Sequence, residues 1–263
     1  MLPYSIIQLV VTVPKSYQYV ITILMSQTAN KDMSVIWSNY NLAQLRQHAT
    51  KTFREGGGSR PDVLLIEING EYAVLKDQGG ADKLFAYIVG PILNWRECKA
   101  LRKLASVDCV PNLLHTPDSR SFLMTYHQSE QVTRLDQFTP NWPDFFEKLK
   151  NSISEVHANG VAHNDLRNPT NTLVTPNGEP ILVDLVACFC QGSSWNLANQ
   201  WLFTKFCQVD LSAIKKIKKR VAPELIDKSD IESEDIAGSL GIIAKQLGQW
   251  VRKASGFFFT KSK

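Results

Sequence analysis

The polar run from His163 to Asn171 concentrates the side chains of this sequence that could do chemistry. His163 is followed two residues later by Asp165 and, six residues after that, by Asn171. A second acid, Asp184, closes a short apolar run further along the chain. Acids that rigid elements hold on a loop are typical of catalytic and binding sites. These two carboxylates and this carboxamide could take a proton and hold a divalent cation.

This set of residues fits phosphoryl transfer, which needs charged groups in fixed positions and little covalent help. Asp165 could orient an acceptor hydroxyl and take its proton. Asp184 and Asn171 could hold Mg²⁺ on nucleotide phosphates, because magnesium prefers hard oxygen ligands. Lys76 could pair with phosphate oxygens, and Glu97 could hold that lysine in place. The sequence therefore predicts ATP and Mg²⁺ as cofactors.

The elements that must position these residues begin with a β-hairpin. Val63–Ile68 and Glu71–Lys76 are β-rich and flank Asn69-Gly70, the strongest short-range hairpin signal. The glycines before them, at 56–58, predict a flexible loop. Residues 84–105 predict a helix because apolar side chains recur there at three- and four-residue steps: Trp95, Cys98, Leu101, Leu104 and Ala105.

The later elements are shorter strands and longer helices. Residues 121–127 predict a strand, and Trp142–Ala158 a helix that ends before a Gly160 cap. Residues 171–174 and 180–185 predict a second hairpin around the turn at 175–179. The chain beyond Gln191 is helical in pattern, with Leu211, Ile214, Ile217 and Val221 facing inward. An order of strands first and helices later predicts a two-lobed α+β protein.

Several motifs in this order resemble the protein-kinase superfamily. Residues 163–174, H-N-D-L-R-N-P-T-N-T-L-V, are similar to the catalytic loop H-R-D-L-x-x-x-N. A-V-L-K at 73–76 resembles the strand motif V-A-I-K, and V-D-L at 183–185 stands in for D-F-G. W-R-E at 95–97 falls where the glutamate of helix αC belongs. The match extends over residues 55–190 and is closest to small atypical bacterial kinases of the RIO and lipopolysaccharide-core-kinase type.

The resemblance implies a protein-kinase-like fold of class α+β, with a β-rich N-lobe at 41–127 and a mostly helical C-lobe at 128–263. It implies Asp165 as catalytic base, with Lys76 and Glu97 as its phosphate-positioning partners. Asn171 and Asp184 are then the residues that hold magnesium and nucleotide. Gly56, Gly57 and Gly58 take the place of the loop over the phosphates, without the spacing G-x-G-x-x-G. His163 is expected to support the loop.

The sequence departs from the family pattern at several positions. Asn164 replaces the arginine that reads a phosphorylated activation loop, and Asp184 is followed by leucine where the family has phenylalanine. One extra residue separates Asp165 from Asn171, which leaves Asn168 as a rival metal ligand. Ala222-Pro223-Glu224 spells the end of an activation segment, but the helical pattern before it predicts no extended loop. We therefore expect a site that is assembled without loop phosphorylation.

Composition limits the partners and the location. A formal net charge of +4 over 263 residues is too small to predict specific nucleic-acid binding. The cysteines are odd in number, which argues against a disulfide framework, and Cys188-x-Cys190 lacks the second pair that a metal site would need. Residues 1–40 have no assigned role and no clear targeting segment. We expect a cytoplasmic monomer, with peripheral contact to the inner face of a membrane through the aromatic and basic tail as the alternative.

The sequence leaves three functions open. The first is an ATP- and magnesium-dependent kinase that acts on serine or threonine in proteins. The second is the same transfer to a sugar hydroxyl, such as that of a lipopolysaccharide core. The third is a catalytically inactive pseudokinase that binds partners. The presence of Lys76, Asp165, Asn171 and Asp184 together argues against the third.

Overall fold

A computed structural model of the chain describes residues 36–226. The predicted N-terminal extension at 1–40, apart from its last residues, and the predicted helical tail at 236–263 lie outside the described residues. The first lobe is built on one antiparallel sheet with the strand order β1-β2-β3-β5-β4. Its strands are β1 (Ala49–Arg54), β2 (Asp62–Ile68), β3 (Glu71–Asp77), β4 (Leu113–Asp118) and β5 (Ser121–Thr125).

The central hairpin of this sheet is the one predicted from the sequence. Strands β2 and β3 pair in register from Asp62 opposite Asp77 to Ile68 opposite Glu71. Asn69 and Gly70 form the turn with φ of 54° and 84°. Asparagine and glycine tolerate positive φ at both turn positions, and this turn twists with the strands it joins. Lys76 therefore lies near the end of a central strand.

The outer face of the sheet is covered by the chain that precedes it. Helix α1 (Leu42–Gln47) begins with a capping box, in which Asn41 and Gln44 bond each other's backbone N–H groups at 3.0 Å. Trp37 and Leu45 are buried against apolar residues of the sheet, among them Ile66 and Leu75. This layer covers one face of the sheet. The opposite face borders the cleft.

The sequence predicted a single helix over residues 84–105, but two helices form there. They are α2 (Lys83–Ile88) and α3 (Gly90–Lys103). Pro91 lies in the first turn of α3, where its missing N–H costs least, and favours a new start at this point. Cys98 and Leu101 are buried as predicted, whereas Trp95 is 59% exposed. The face of α3 that enters the core also carries Glu97.

The second lobe agrees closely with the predicted elements. Helix α4 spans Trp142–Ala158 as predicted, and Gly160 follows its end with φ of 69°. The short strands are β6 (Glu130–Gln131), β7 (Val161–Ala162), β8 (Thr172–Val174), β9 (Pro180–Leu182) and β10 (Phe189–Cys190). They form two small sheets, with the orders β6-β8-β9 and β10-β7. The loop from 163 to 171 is therefore held between a long helix and a hairpin.

Helix α5 (Leu197–Val221) closes the second lobe. Ala213 and Ile217 enter the common core with Phe145 and Leu149 of α4. Leu211, predicted to face inward, is 41% exposed, since it lies on the other side of the helix from these residues. Within residues 36–226, no helix is long and apolar enough to cross a membrane.

The position of α5 bears on the predicted absence of an activation loop. Only the residues from 185 to 196 separate Asp184 from the first turn of the helix, and some of them form β10. Ala222-Pro223-Glu224 comes after the helix, at a short 3₁₀ turn (Pro223–Leu225). The Ala-Pro-Glu sequence therefore does not end an activation segment. This agrees with the helix predicted before it.

Candidate active site

Three charged side chains from different elements meet at the bottom of the cleft between the lobes. Lys76 Nζ lies 2.9 and 2.8 Å from the two carboxylate oxygens of Glu97, and 2.7 Å from Asp184 Oδ1. Lys76 comes from β3, Glu97 from α3, and Asp184 from the turn after β9. The Lys76 and Glu97 side chains are only 5% and 2% exposed. Glu97 is thus a buried partner of the lysine and not a surface acid.

The lysine of this triad attracts both carboxylates, whereas the charge of Asp184 raises the pKa of Glu97. Burial disfavours the Lys76 ammonium, but the carboxylates of Glu97 and Asp184 outweigh it and raise the pKa of this lysine. The Lys76 ammonium is the main cause that lowers the pKa of Asp184. Burial raises the pKa of Glu97 against the attraction of the lysine. Lys76 and Asp184 are therefore charged at neutral pH, with the lysine side chain 5% exposed and the aspartate side chain 29% exposed.

Asp184 is held in an unusual backbone conformation. Its φ and ψ are 66° and 64°, in the left-handed region, and Asn164 of the facing loop has a φ of 64°. Non-glycine residues in this region are uncommon and are found more often where function requires a set geometry. His163 supports the turn, because its Nε2 lies 2.9 Å from the carbonyl oxygen of Val183. This contact agrees with the supporting role predicted for His163.

Asp165 and Asn171 form a second group on the same loop. Asn171 Nδ2 donates to Asp165 Oδ2 at 2.9 Å and to the Asp165 carbonyl at 3.1 Å. The extra residue in the loop is accommodated by a 3₁₀ turn at Pro169–Asn171. Asn171 is buried, whereas its rival Asn168 is exposed and bonds the N–H of Thr170. Of the two, Asn171 is the asparagine that the fold brings to Asp165. Its Oδ1 accepts a hydrogen bond from Thr170 Oγ1 at 3.5 Å.

The environment of Asp165 affects its charge. Desolvation by burial raises the pKa of its carboxyl group above the ordinary value, although the hydrogen bond from Asn171 acts in the opposite direction. The charge of Asp184 adds to the increase. A carboxylate with a raised pKa is a stronger base than an exposed one, which suits a proton acceptor.

One residue that supports the loop was not predicted from the sequence. The buried carboxylate of Asp210, on α5, accepts 2.7 Å hydrogen bonds from the backbone N–H groups of His163 and Asn164. His157 Nε2 lies 3.0 Å from the same carboxylate. Asp210 shares a helix face with Ala213 and Ile217. An acid among apolar positions was the feature of the sequence that could have indicated a buried, hydrogen-bonded carboxylate.

Two adjoining cavities form the cleft. One, of about 220 Å³, has a largely apolar wall that includes Val63, Val74, Met124, Leu173 and Ile181, from both lobes. The other, of about 230 Å³, is lined by Lys76, Asp165 and Asp184, and by Ser59, Arg60 and Pro61 of the β1–β2 loop. Arg54 lines both cavities. An apolar chamber that opens onto a charged one can hold a molecule with a flat apolar end and an anionic end.

The structure does not bring the three predicted loop glycines into these linings. A Cβ on Gly56 would lie 2.3 Å from the carbonyl oxygen of Gly80, so this glycine allows close backbone packing. Gly57 and Gly58 have φ of 147° and 59°, which glycine adopts without strain. The glycines shape the loop, and the residues after them reach the cavity.

Among the described residues, no cluster of three or more histidine, cysteine or acidic side chains could hold a metal ion. A magnesium ion on nucleotide phosphates needs fewer protein ligands, since it keeps waters and phosphate oxygens. Asp184 and the Oδ1 atom of Asn171 are hard oxygen donors of the type that this ion takes.

Comparison with known proteins gives a match in structure alone, since no family model and no curated protein matches the sequence. The chain is similar to the Rio2 kinase from Chaetomium thermophilum, with a TM-score of 0.52 and 14% identity over 73% of this chain and 65% of that one. The chain has a protein-kinase-like fold. It is similar also to the Rio2 kinase–ADP/Mg²⁺–phosphoaspartate complex from the same organism, with a TM-score of 0.51 and 15% identity.

At these identities the kinase-like fold is what the similarity shows. The chain spans 65% and 63% of the length of the two Rio2 structures, and each match covers 73% of the chain. The fold accounts for the cleft between a β-rich and a helical lobe.

Proposed function

We propose that this protein is an ATP- and Mg²⁺-dependent phosphotransferase that acts on serine or threonine hydroxyls of a protein. The observation that carries the proposal is the contact of one buried lysine with two carboxylates across the cleft. Lys76 bonds Glu97 and Asp184 at 2.7–2.9 Å, and Asp165 lines the same cavity. A kinase-like fold with this arrangement has the charged groups that phosphoryl transfer requires.

The two cavities would receive different parts of the nucleotide. The apolar cavity would receive the base, because its walls come from Val74 and Met124 above and from Leu173 and Ile181 below. The phosphates would extend into the charged cavity toward Lys76. The structural similarity to a Rio2 complex with ADP and Mg²⁺ supports this use of the cleft.

Each charged group then has a task that its surroundings favour. Lys76, fixed by Glu97, would attract phosphate oxygens. Asp184 and Asn171 would hold Mg²⁺, which supplies positive charge against the charge that develops on the phosphates. Asp165 would orient the acceptor hydroxyl and accept its proton. Desolvation raises the pKa of Asp165, and the bond from Asn171 fixes the direction of its carboxylate.

Incubation of the full chain with γ-labelled ATP, Mg²⁺ and separate protein and glycan acceptors tests the proposal. Asp165→Asn and Asp184→Asn are compared with the wild type, and Asp136→Asn, at an exposed acid, is the matched control. We expect transfer to serine or threonine by the wild type and the control only. Nucleotide binding, measured by calorimetry, should persist in Asp165→Asn.

The alternatives give different results. Label on a glycan and never on protein would establish the sugar kinase. Nucleotide binding with neither transfer to any acceptor nor turnover of ATP would favour a pseudokinase. Equal transfer by Asp165→Asn and wild type would remove Asp165 from the reaction.

A further inference from the structure

An exposed apolar stripe runs along helices α2 and α3. Leu84, Ile88, Ile92 and Trp95 follow one another at steps of four, four and three residues, which places them on one helical face. They are 44–59% exposed. A single exposed apolar residue is ordinary, whereas a contiguous apolar patch marks an interaction surface. These four residues are called the α2–α3 stripe below.

The stripe is continuous because the junction between the two helices is itself helical. Val89 has φ of −94° and ψ of −35°, in the right-handed region. Its N–H donates to the Phe85 carbonyl at 2.8 Å, and its carbonyl accepts from the Leu93 N–H at 3.0 Å, as in an unbroken helix. Phe85 and Ala86 are buried on the inner face, where Val89 and Leu93 pack against them. The inner face of the helix pair is therefore filled, and the stripe faces away from it.

The exposed charges on these two helices are positive. The only acid in α2 and α3 is Glu97, which is buried against Lys76. Lys99 Nζ lies 5.2 Å from the centre of the Trp95 ring, so a cation adjoins the aromatic end of the stripe. Asp82 precedes α2, and its Oδ1 accepts a hydrogen bond from a backbone N–H of the β1–β2 loop at 3.0 Å. The exposed cations of the two helices are Lys83, Lys99, Arg102 and Lys103.

The segment that packs against α3 has the same character. No charged residue occurs between Asp184 and Lys205. Within this span Trp195 and Trp201 are 82% and 56% exposed, and Lys205 Nζ lies 5.8 Å from the centre of the Trp201 ring. Arg96 of α3 donates a hydrogen bond to a carbonyl of this segment at 2.9 Å. Exposed tryptophans with a lysine four residues later therefore occur on both neighbouring elements.

We propose that the α2–α3 stripe binds the surface of a bilayer that contains anionic lipids. The apolar side chains would enter the boundary between headgroups and acyl chains, and the exposed cations would approach lipid phosphates. Tryptophan suits this boundary because its ring is apolar and its N–H is polar. Lysine suits it because a long apolar stem carries its charge to the headgroups. Lysine is depleted at protein–protein interfaces, so the lysines beside the stripe favour a bilayer over a protein partner.

Flotation of the full chain with lipid vesicles tests the proposal. Vesicles of phosphatidylcholine alone are compared with vesicles of equal parts phosphatidylcholine and phosphatidylglycerol. We expect the chain to bind the anionic vesicles about tenfold more tightly or more, because each cation near an anionic surface adds to the attraction. Added salt should weaken this binding. None of the four stripe residues lines the cleft, so lipid binding is measured independently of phosphoryl transfer.

Substitutions in the stripe separate its contribution from that of the rest of the chain. Ile88→Gln combined with Ile92→Gln removes apolar area at exposed positions and should weaken binding to the anionic vesicles about tenfold or more. Leu211→Gln is the matched control, since Leu211 is also exposed but lies on α5, and should bind like the wild type. Lys99→Glu should weaken binding to a similar extent, whereas Lys150→Glu, at an exposed lysine of α4, should change it far less. Circular dichroism checks that each variant is folded.

Three results would contradict the proposal. Equal flotation of the wild type and the paired isoleucine variant would overturn it and assign the binding to another part of the chain, such as residues 227–263. Failure of the wild type to bind anionic vesicles would also overturn it, and would leave the stripe to a protein partner or to another segment of this chain. Equally tight binding to neutral and anionic vesicles would refute the role of the cations.

Discussion

At the scale of single residues, the ion pair of Lys76 and Glu97 is buried, so removal of one partner leaves the other charge buried and unpaired. Lys76→Met leaves the Glu97 carboxylate buried without its cation, which should destabilise the protein by about 3 kcal/mol. Lys76→Met combined with Glu97→Gln removes both charges and should restore at least half of that loss. Urea unfolding measures the stability of both variants. Phosphoryl transfer should be lost in both, because neither has an ammonium group for the phosphates.

A different result would change the interpretation of the pair. If the double variant were as unstable as Lys76→Met, packing of the lysine stem would explain the loss and the buried charge would not. Lys148→Met is the matched control, because its ion pairs with Asp144 and Glu179 are at the surface. Removal of such exposed pairs usually changes stability little.

The carboxyl group of Asp165 should set the acid side of the pH profile. A base must be deprotonated to act, so kcat/KM should fall as the pH decreases through the pKa of this group. Burial raises that pKa, and the decline should therefore begin above the range in which exposed aspartates titrate. Asp184 stays ionised in that range because Lys76 lowers its pKa. The profile is measured with a wide buffer series, and a decline only below the ordinary aspartate range would contradict the assignment.

At the scale of elements, Asp210 joins α5 to the loop that carries Asp165. Asp210→Ala leaves the N–H groups of His163 and Asn164 buried without an acceptor, which should cost about 2–4 kcal/mol. Asp210→Asn keeps one acceptor oxygen and should cost less. Leu211→Ala, at the exposed neighbour on the same helix, should be near neutral. Chemical unfolding compares the three, and a cost for Asp210→Ala no larger than that for Leu211→Ala would show that the bonds do not support the loop.

The contrast between local and distant partners explains what the sequence could predict. The Asn69-Gly70 hairpin and the Gly160 cap depend on neighbouring residues, so their patterns sufficed. The burial of Glu97 depends on Lys76, on another element, and motif order was the only guide to it. Asp210 has partners 46 and 47 residues away, and nothing local shows that its carboxylate faces two N–H groups. The exposure of Trp95 likewise depends on what α3 packs against.

The roles proposed for Asn171 and the loop glycines illustrate the same limit within the site. The residue count from Asp165 allowed either Asn168 or Asn171, and only the 3₁₀ turn places Asn171 against Asp165. The glycines at 56–58 predicted a loop correctly but gave no indication that Ser59 and Arg60 reach the cavity. Sequence spacing thus predicted which segments form the site, while side-chain direction came from packing.

At the scale of the whole molecule, both lobes contribute walls to the cleft, so the proposed nucleotide would contact both lobes. The apolar walls come from β2, β3 and β5 on one side and from β8 and β9 on the other. A ligand that binds only the folded cleft stabilises both lobes together, by about 2.7 kcal/mol at a hundred times its Kd. ATP with Mg²⁺ should therefore raise the melting temperature of the full chain in one cooperative transition, as measured by scanning calorimetry.

The metal dependence of this shift identifies the part played by Asp184. Asp184→Asn removes a charged oxygen ligand, so the increase that Mg²⁺ adds to the shift with ATP should disappear, while the shift with ATP and EDTA remains. Asp136→Asn, outside the cleft linings, should retain both shifts. A magnesium-dependent shift of full size in Asp184→Asn would place the metal elsewhere. A shift in only one of two separate transitions would show that the nucleotide does not join the lobes.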